Sequence, residues 1–151
     1  MFEAVGEEHW DHYFEVLRRS LKPGGRVVLQ IISIDDDRYH TYKKQADFIQ
    51  RYIFPGGMLP SVSILKSKFR EHGFQLKEQF MFGADYASTL DIWRTQFERA
   101  WHEITGLGFD ERFYRMWRYY LAYCEGGFRH GALDVGLYML EADPSSDTKQ
   151  P

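Results

Sequence analysis

Residues able to do chemistry are scattered along this sequence rather than gathered in one short motif. His9 and His12 stand three apart, which puts two imidazoles on one side of a helix. They flank Trp10, however, off its apolar stripe, and no His-Glu-x-x-His occurs, so metal binding is not expected. Asp35-Asp36-Asp37 opens like a calcium loop but lacks the later glycine and glutamate such a loop needs, and reads as a solvated turn. The single cysteine, Cys124, excludes an intrachain disulfide and a zinc site built on several thiolates, and reads as a small buried hydrophobe. Arg112, Arg115 and Arg118 share a helix face that could meet anionic headgroups, with a plain solvated face as the simpler reading. Gln30 is polar within an otherwise apolar strand, in the C-terminal half where α/β proteins gather their sites. On pattern alone, Glu3 is a solvated carboxylate near the first residue and Tyr86 a packed ring at a helix start.

The elements that must position these residues follow from periodicity. From Glu7 to Leu21, the residues Trp10, Tyr13, Phe14, Leu17 and Leu21 recur on one helical face, and Lys22-Pro23-Gly24-Gly25 ends the run. Arg26–Ile34 is β-branched and almost continuously apolar, which predicts a strand covered on both faces. Tyr39–Phe54 is expected to be helical up to Pro55-Gly56-Gly57. Ser61 caps a helix over Val62–His72, closed by Gly73. Phe74–Phe82 alternates, with Phe74, Leu76 and Phe80 as its apolar members, and reads as a second strand. Ala87–Ile104 and Asp110–Cys124 are helices separated by Gly106-Leu107-Gly108, and Leu133–Glu141 is a last strand. The sequence predicts one α/β unit over residues 1–142 and a polar, disordered tail over 143–151.

Composition narrows the classes of function. The 151 residues suffice for one domain, and 44% hydrophobic with 27% charged residues describes a folded chain. A net charge of −3 gives no broad positive field for nucleic acid. No apolar run approaches the roughly 18 residues of a membrane-spanning helix, and no basic-then-apolar leader opens the chain, so a cytoplasmic protein is expected.

Five blocks in order carry a resemblance: Met1-Phe-Glu-Ala-Val-Gly6, Leu21-Lys-Pro-Gly-Gly25, Tyr52-Ile-Phe-Pro-Gly-Gly57 followed by Leu59-Pro60-Ser61, Phe82-Gly-Ala-Asp-Tyr86, and Phe113–Phe128 with Met116, Tyr119-Tyr120-Leu121 and Cys124. With them the chain resembles the C-terminal portion of the cyclopropane-fatty-acyl-phospholipid synthases, S-adenosylmethionine-dependent methyltransferases. The resemblance implies a Rossmann-like α/β sheet of seven strands, of which Arg26–Ile34, Phe74–Phe82 and Leu133–Glu141 are the fifth, sixth and seventh. The seventh lies between the other two. The first four strands and the glycine-rich cofactor turn are expected upstream, and no Gly-x-Gly-x-x-Gly occurs in this chain, so the chain alone is expected to be inactive.

The same resemblance implies a site and a reaction. A methyl group passes from S-adenosylmethionine to the cis double bond of a phospholipid acyl chain, and a bound bicarbonate takes the proton that is lost as a cyclopropane closes. Glu3, Tyr86 and the backbone at Ile32 fall on positions that hold the bicarbonate, and Gln30 falls on a histidine position. A carboxamide donates hydrogen bonds as imidazole does but does not titrate. That departure leaves room for a methyl branch without ring closure, or for a non-catalytic module that binds lipid or a partner. Also implied are a position at the inner face of the membrane, and self-association through the exposed sheet edge at Val27–Ile32, where a fourth-strand neighbour would lie.

Overall fold

The computed structural model describes residues 2–144. Of the tail expected to be disordered, residues 145–151 lie outside the described residues. Asp143 is held: its N–H donates to the Gly73 carbonyl at 2.8 Å and its own carbonyl accepts from Arg18 at 3.0 Å. The chain divides into two compact units, residues 1–81 with 135–151, and residues 82–134.

The first unit contains β1 (Arg26–Ile34), β2 (Phe74–Met81) and all but the first two residues of β3 (Leu133–Ala142), in the order β1-β3-β2. This is the order the resemblance implies. β3 runs antiparallel to β2, with Phe74 opposite Ala142 and Met81 opposite Gly136. Ala142 also accepts from Gly24 N–H at 3.0 Å and donates to the Gly25 carbonyl at 2.8 Å, fastening the end of β3 to the approach to β1. Two short 3-10 turns, Phe2–Ala4 and Glu7–His9, lead into α1 (Trp10–Arg19). The core runs from helix to sheet through aromatic edges. Phe14 of α1 meets Phe69 of α4 (Val62–Glu71) at 5.6 Å, and Phe69 meets Tyr138 of β3 at 5.8 Å. Ser61 caps α4 as expected, accepting from the Ile64 N–H at 3.4 Å.

Three expectations give way here. Tyr39–Phe54 is not one helix but two, α2 (Asp36–Lys44) and α3 (Phe48–Tyr52). Asp35 caps α2 by accepting from the Asp37 N–H at 3.0 Å, and Asp47 with Gln50 forms a reciprocal capping box on α3. The acidic run read as a solvated turn is therefore a helix start. Second, β1 is covered on both faces only at its C-terminal end. Leu29, Ile31 and Ser33 are buried on one face; on the other Ile34 is buried, whereas Gln30 is exposed and Val28 is 56% exposed. β-branched residues report strand propensity, not how far along the strand its second face is shielded. Third, the alternation of β2 breaks. A bulge between Leu76 and Glu78 shifts the register, so Phe80 turns outward and is 63% exposed. One extra residue in a strand reverses the facing of all that follow.

The second unit is a helical hairpin: α5 (Gly83–Arg99), α6 (Trp101–Gly106) and α7 (Glu111–Arg129). The expected helix Ala87–Ile104 begins four residues early and breaks at Ala100. Its start is set by Gly83, whose N–H donates to Asp134 at 2.9 Å in a space too small for a Cβ. α7 continues past Cys124 through Gly126-Gly127 to Arg129, and the missing side chain of Gly127 leaves room for Leu133 against the helix. Arg118 pairs with Glu98 at 2.6 Å and Arg115 with Glu111 at 3.0 Å, so the arginine face is largely neutralised by its own helices.

Candidate active site

Glu3 is not at a frayed end. Phe2 beside it is 2% exposed and packs on Trp10, Tyr13 and Phe14 with ring centroids 5.2, 5.1 and 5.3 Å away. That anchor fixes the turn Phe2–Ala4, and the main chain of Glu3 is then tied across the unit, its carbonyl accepting from the Met58 N–H at 2.9 Å. Its carboxylate accepts from the Ile32 N–H at 2.6 Å. Two residues that the resemblance assigns to one site are thus joined directly, although 29 positions separate them.

The segment Gly57–Ser61 completes the setting. Ile34 donates to the Pro60 carbonyl at 2.9 Å and bridges Ser61 in parallel register, so this segment runs beside the C-terminal end of β1. A Cβ on Gly57 would stand 3.1 Å from the Phe54 carbonyl and 3.4 Å from that of Glu3, which explains the second glycine of the Pro-Gly-Gly block. Gly57 and Met58 also line a cleft of about 300 Å³ with Glu7, Glu8, Lys43 and Gln50. Within it Glu7 accepts from Lys43 at 2.7 Å and from the Tyr39 hydroxyl at 3.1 Å. The sequence reading gave Gly57 and Met58 no role. The only signal was the block that ends at Gly57; Met58 stands between its two parts, and a backbone bond to Glu3 leaves no mark on side-chain pattern.

Electrostatics agree with a partly dry setting. Burial first, then the charge of Glu3, pushes the Tyr13 hydroxyl above the ordinary tyrosine range. Gln30 stands on β1 two residues before Ile32, and its side chain takes the exposed face with that of Val28. It is therefore neither a buried strand polar nor a part of the core. Tyr86 belongs to the second unit. It lies in the first turns of α5, half-buried, 5.1 Å from Phe128 and 6.4 Å from both Phe82 and Trp93. Cys124, on α7 of the same unit, is half-buried.

The implied small molecules can be tested against these residues. The sequence holds no Gly-x-Gly-x-x-Gly, the cofactor turn that the resemblance implies for S-adenosylmethionine. For bicarbonate, the one backbone donor assigned to the ion is already engaged by Glu3, and Gln30 supplies no positive charge. The residues present hold one anion, Glu3 itself, and do not fit a second. A different cluster, Asp11, Glu71 and His72, brings potential metal ligands within 4.8 Å of one another. Its centre is taken by the Lys68 ammonium, 2.7 Å from Asp11 and 3.0 Å from Glu71.

The three-stranded order and the crossovers through α2–α4 define a methyltransferase-type α/β sheet, with an acidic residue set at the end of β1. A model of the mycolic acid cyclopropane synthetase family matches residues 1–137. The chain belongs to that family. It is 42% identical over 141 residues to the tuberculostearic acid methyltransferase of Mycobacterium tuberculosis, covering 93% of this chain and 33% of that protein. It is 40% identical over 145 residues to the cyclopropane-fatty-acyl-phospholipid synthase of Escherichia coli, covering 93% and 35%. Among solved structures, the mycolic acid cyclopropane synthase CmaA1, crystallised with SAH and CTAB, superposes with a TM-score of 0.83 at 28% identity, covering 93% of this chain and 52% of that one. The chain spans a third to about half of the length of these proteins. Among the described residues no helix is long and apolar enough to cross a membrane.

Proposed function

We propose that this chain serves S-adenosylmethionine-dependent methyl transfer to the double bond of an unsaturated phospholipid acyl chain, at the inner face of the membrane. The observation that carries the reading is the joined pair Glu3–Ile32, within a chain 40–42% identical over most of its length to proteins named for a lipid methyl or methylene transfer. The methyl donor supplies an electrophilic one-carbon unit. The residues of this chain supply a fixed carboxylate to accept a proton, and an aromatic setting around Tyr86 whose ring faces suit a transient positive charge.

Two outcomes remain within this reading, a cyclopropane and a methyl branch. Gln30 favours neither histidine-type titration nor a cationic site, and the relative named for tuberculostearic acid makes the branch the second reading. The test is the acyl profile of a host that expresses the gene in its own reading frame. Acyl chains one CH₂ heavier than their unsaturated precursors are expected. Proton resonance then separates the two, because a cyclopropane shows far-upfield ring methylene protons and a branched alkene does not. An unaltered profile would overturn the proposal.

A further inference from the structure

The family resemblance gives the Ile32 amide to a bound bicarbonate, and the structure gives it to Glu3. The N–H of Ile32 donates to the Glu3 carboxylate at 2.6 Å, and an N–H bonded to an ionised acceptor is stronger than a neutral pair. One N–H has one direction. A second anion on it would sit against the carboxylate, with like charges in contact. Gln30, in the position where a histidine could carry a compensating charge, is neutral at every pH. Glu3 is also held from behind, by the Met58 N–H on its carbonyl and by the packed ring of Phe2.

We propose that the carboxylate of Glu3, rather than a bound bicarbonate, is the anion of this site and receives the proton directly. The inference rests on the methyl-transfer reading above. Once the new C–C bond has formed, the acyl chain is cationic. One of its C–H bonds then breaks, the electron pair stays in the carbon framework as the third side of a ring or as a double bond, and the proton passes to a Glu3 oxygen. The resulting carboxylic acid keeps its bond from Ile32 and later returns the proton to water. The Ile32 amide thus acts as a positioning group, aiming the carboxylate and holding its charge.

The test is the amide resonance of Ile32 in the full chain labelled with ¹⁵N-isoleucine, without methyl donor or lipid. In the parent protein it should be shifted downfield and should not respond to sodium bicarbonate beyond a sodium chloride control at the same pH. In Glu3→Gln, which keeps the shape and removes the charge, it should move upfield. A saturable bicarbonate shift in the parent would overturn the proposal, and so would an Ile32 resonance unmoved by Glu3→Gln. Failure here leaves methyl transfer standing with bicarbonate as base, whereas an unaltered acyl profile would remove the reaction and leave the Glu3–Ile32 bond intact.

Discussion

Phe2 lies stacked on Trp10, with ring centroids 5.2 Å apart and an interplanar angle of 23°. The second residue of the sequence is therefore part of the core, and the third, Glu3, emerges from a fixed point. Replacing Phe2 with Ala empties a site that is 2% exposed and should destabilise the protein by about 3 kcal/mol, at the low end for a buried Phe→Ala change. Urea unfolding measures the loss, and the Ile32 amide should lose protection from exchange with it, because Glu3 is no longer held in place.

A single carboxylate joins all three strands. Glu141 of β3 accepts from Arg26 of β1 at 2.8 Å and pairs with Lys77 of β2 at 3.2 Å. The Arg26 bond first, then that of Lys77, holds the Glu141 carboxyl below the usual carboxylate range. A lowered folded-state pKa means stability that is present above the unfolded value, near 4.3, and lost as pH falls through the folded one. Thermal unfolding should thus show a loss on acidification below about pH 4.3 that is smaller in Glu141→Gln. An identical acid profile in that variant would show that the pairings contribute nothing measurable.

Alkali should act on Tyr42 and Tyr120, both pushed up to about 12. Burial is the larger cause for each, reinforced by the charge of Asp47 at Tyr42 and by Cys124 and Tyr86 at Tyr120. A raised folded-state pKa gives stability that is complete below the unfolded value, near 10, and lost as pH rises through the folded one. Phenolate absorbance should show these two tyrosines ionising late, and Tyr120→Phe should flatten the loss of stability above about pH 10.

β1 is an outer strand of the sheet and carries Val28 at 56% exposure. Such an edge templates pairing with another chain. Light scattering over a dilution series should show the 151-residue chain self-associating, and Val28→Lys should shift it toward monomer. A monomer at every concentration would show the edge to be inert.

Much of this architecture was legible because local chemistry specifies it. Ser61 before an apolar helix, Lys22-Pro23-Gly24-Gly25 after one, and the β-branched run at Arg26–Ile34 each announce an element within a few residues. The strand order came from the resemblance, since three strands permit several orders and periodicity chooses none. What escaped depends on partners far along the chain. The bulge beside Lys77 is visible only once β2 is paired with β3. The split between α2 and α3 turns on Asp47 acting as a cap rather than as an ordinary helix residue. The exposure of Val28 and Gln30 reflects which helices cover the sheet, a tertiary matter. For the site, Glu3 and Ile32 were named from the resemblance alone, and nothing in the residues between them indicates that one N–H serves one carboxylate.

The central claim is tested most directly by following an isotopically labelled methyl group from S-adenosylmethionine into phospholipid acyl chains, using the protein expressed from its own gene and its Glu3→Gln variant. The account predicts label in the acyl chains with the parent, and a rate lower by about 10²–10⁴-fold in the variant, the usual effect of losing a positioned acid–base group. Binding to vesicles of unsaturated phospholipid should be equal in the two. Acyl chains without label in the parent, or equal labelling rates in parent and variant, would contradict it.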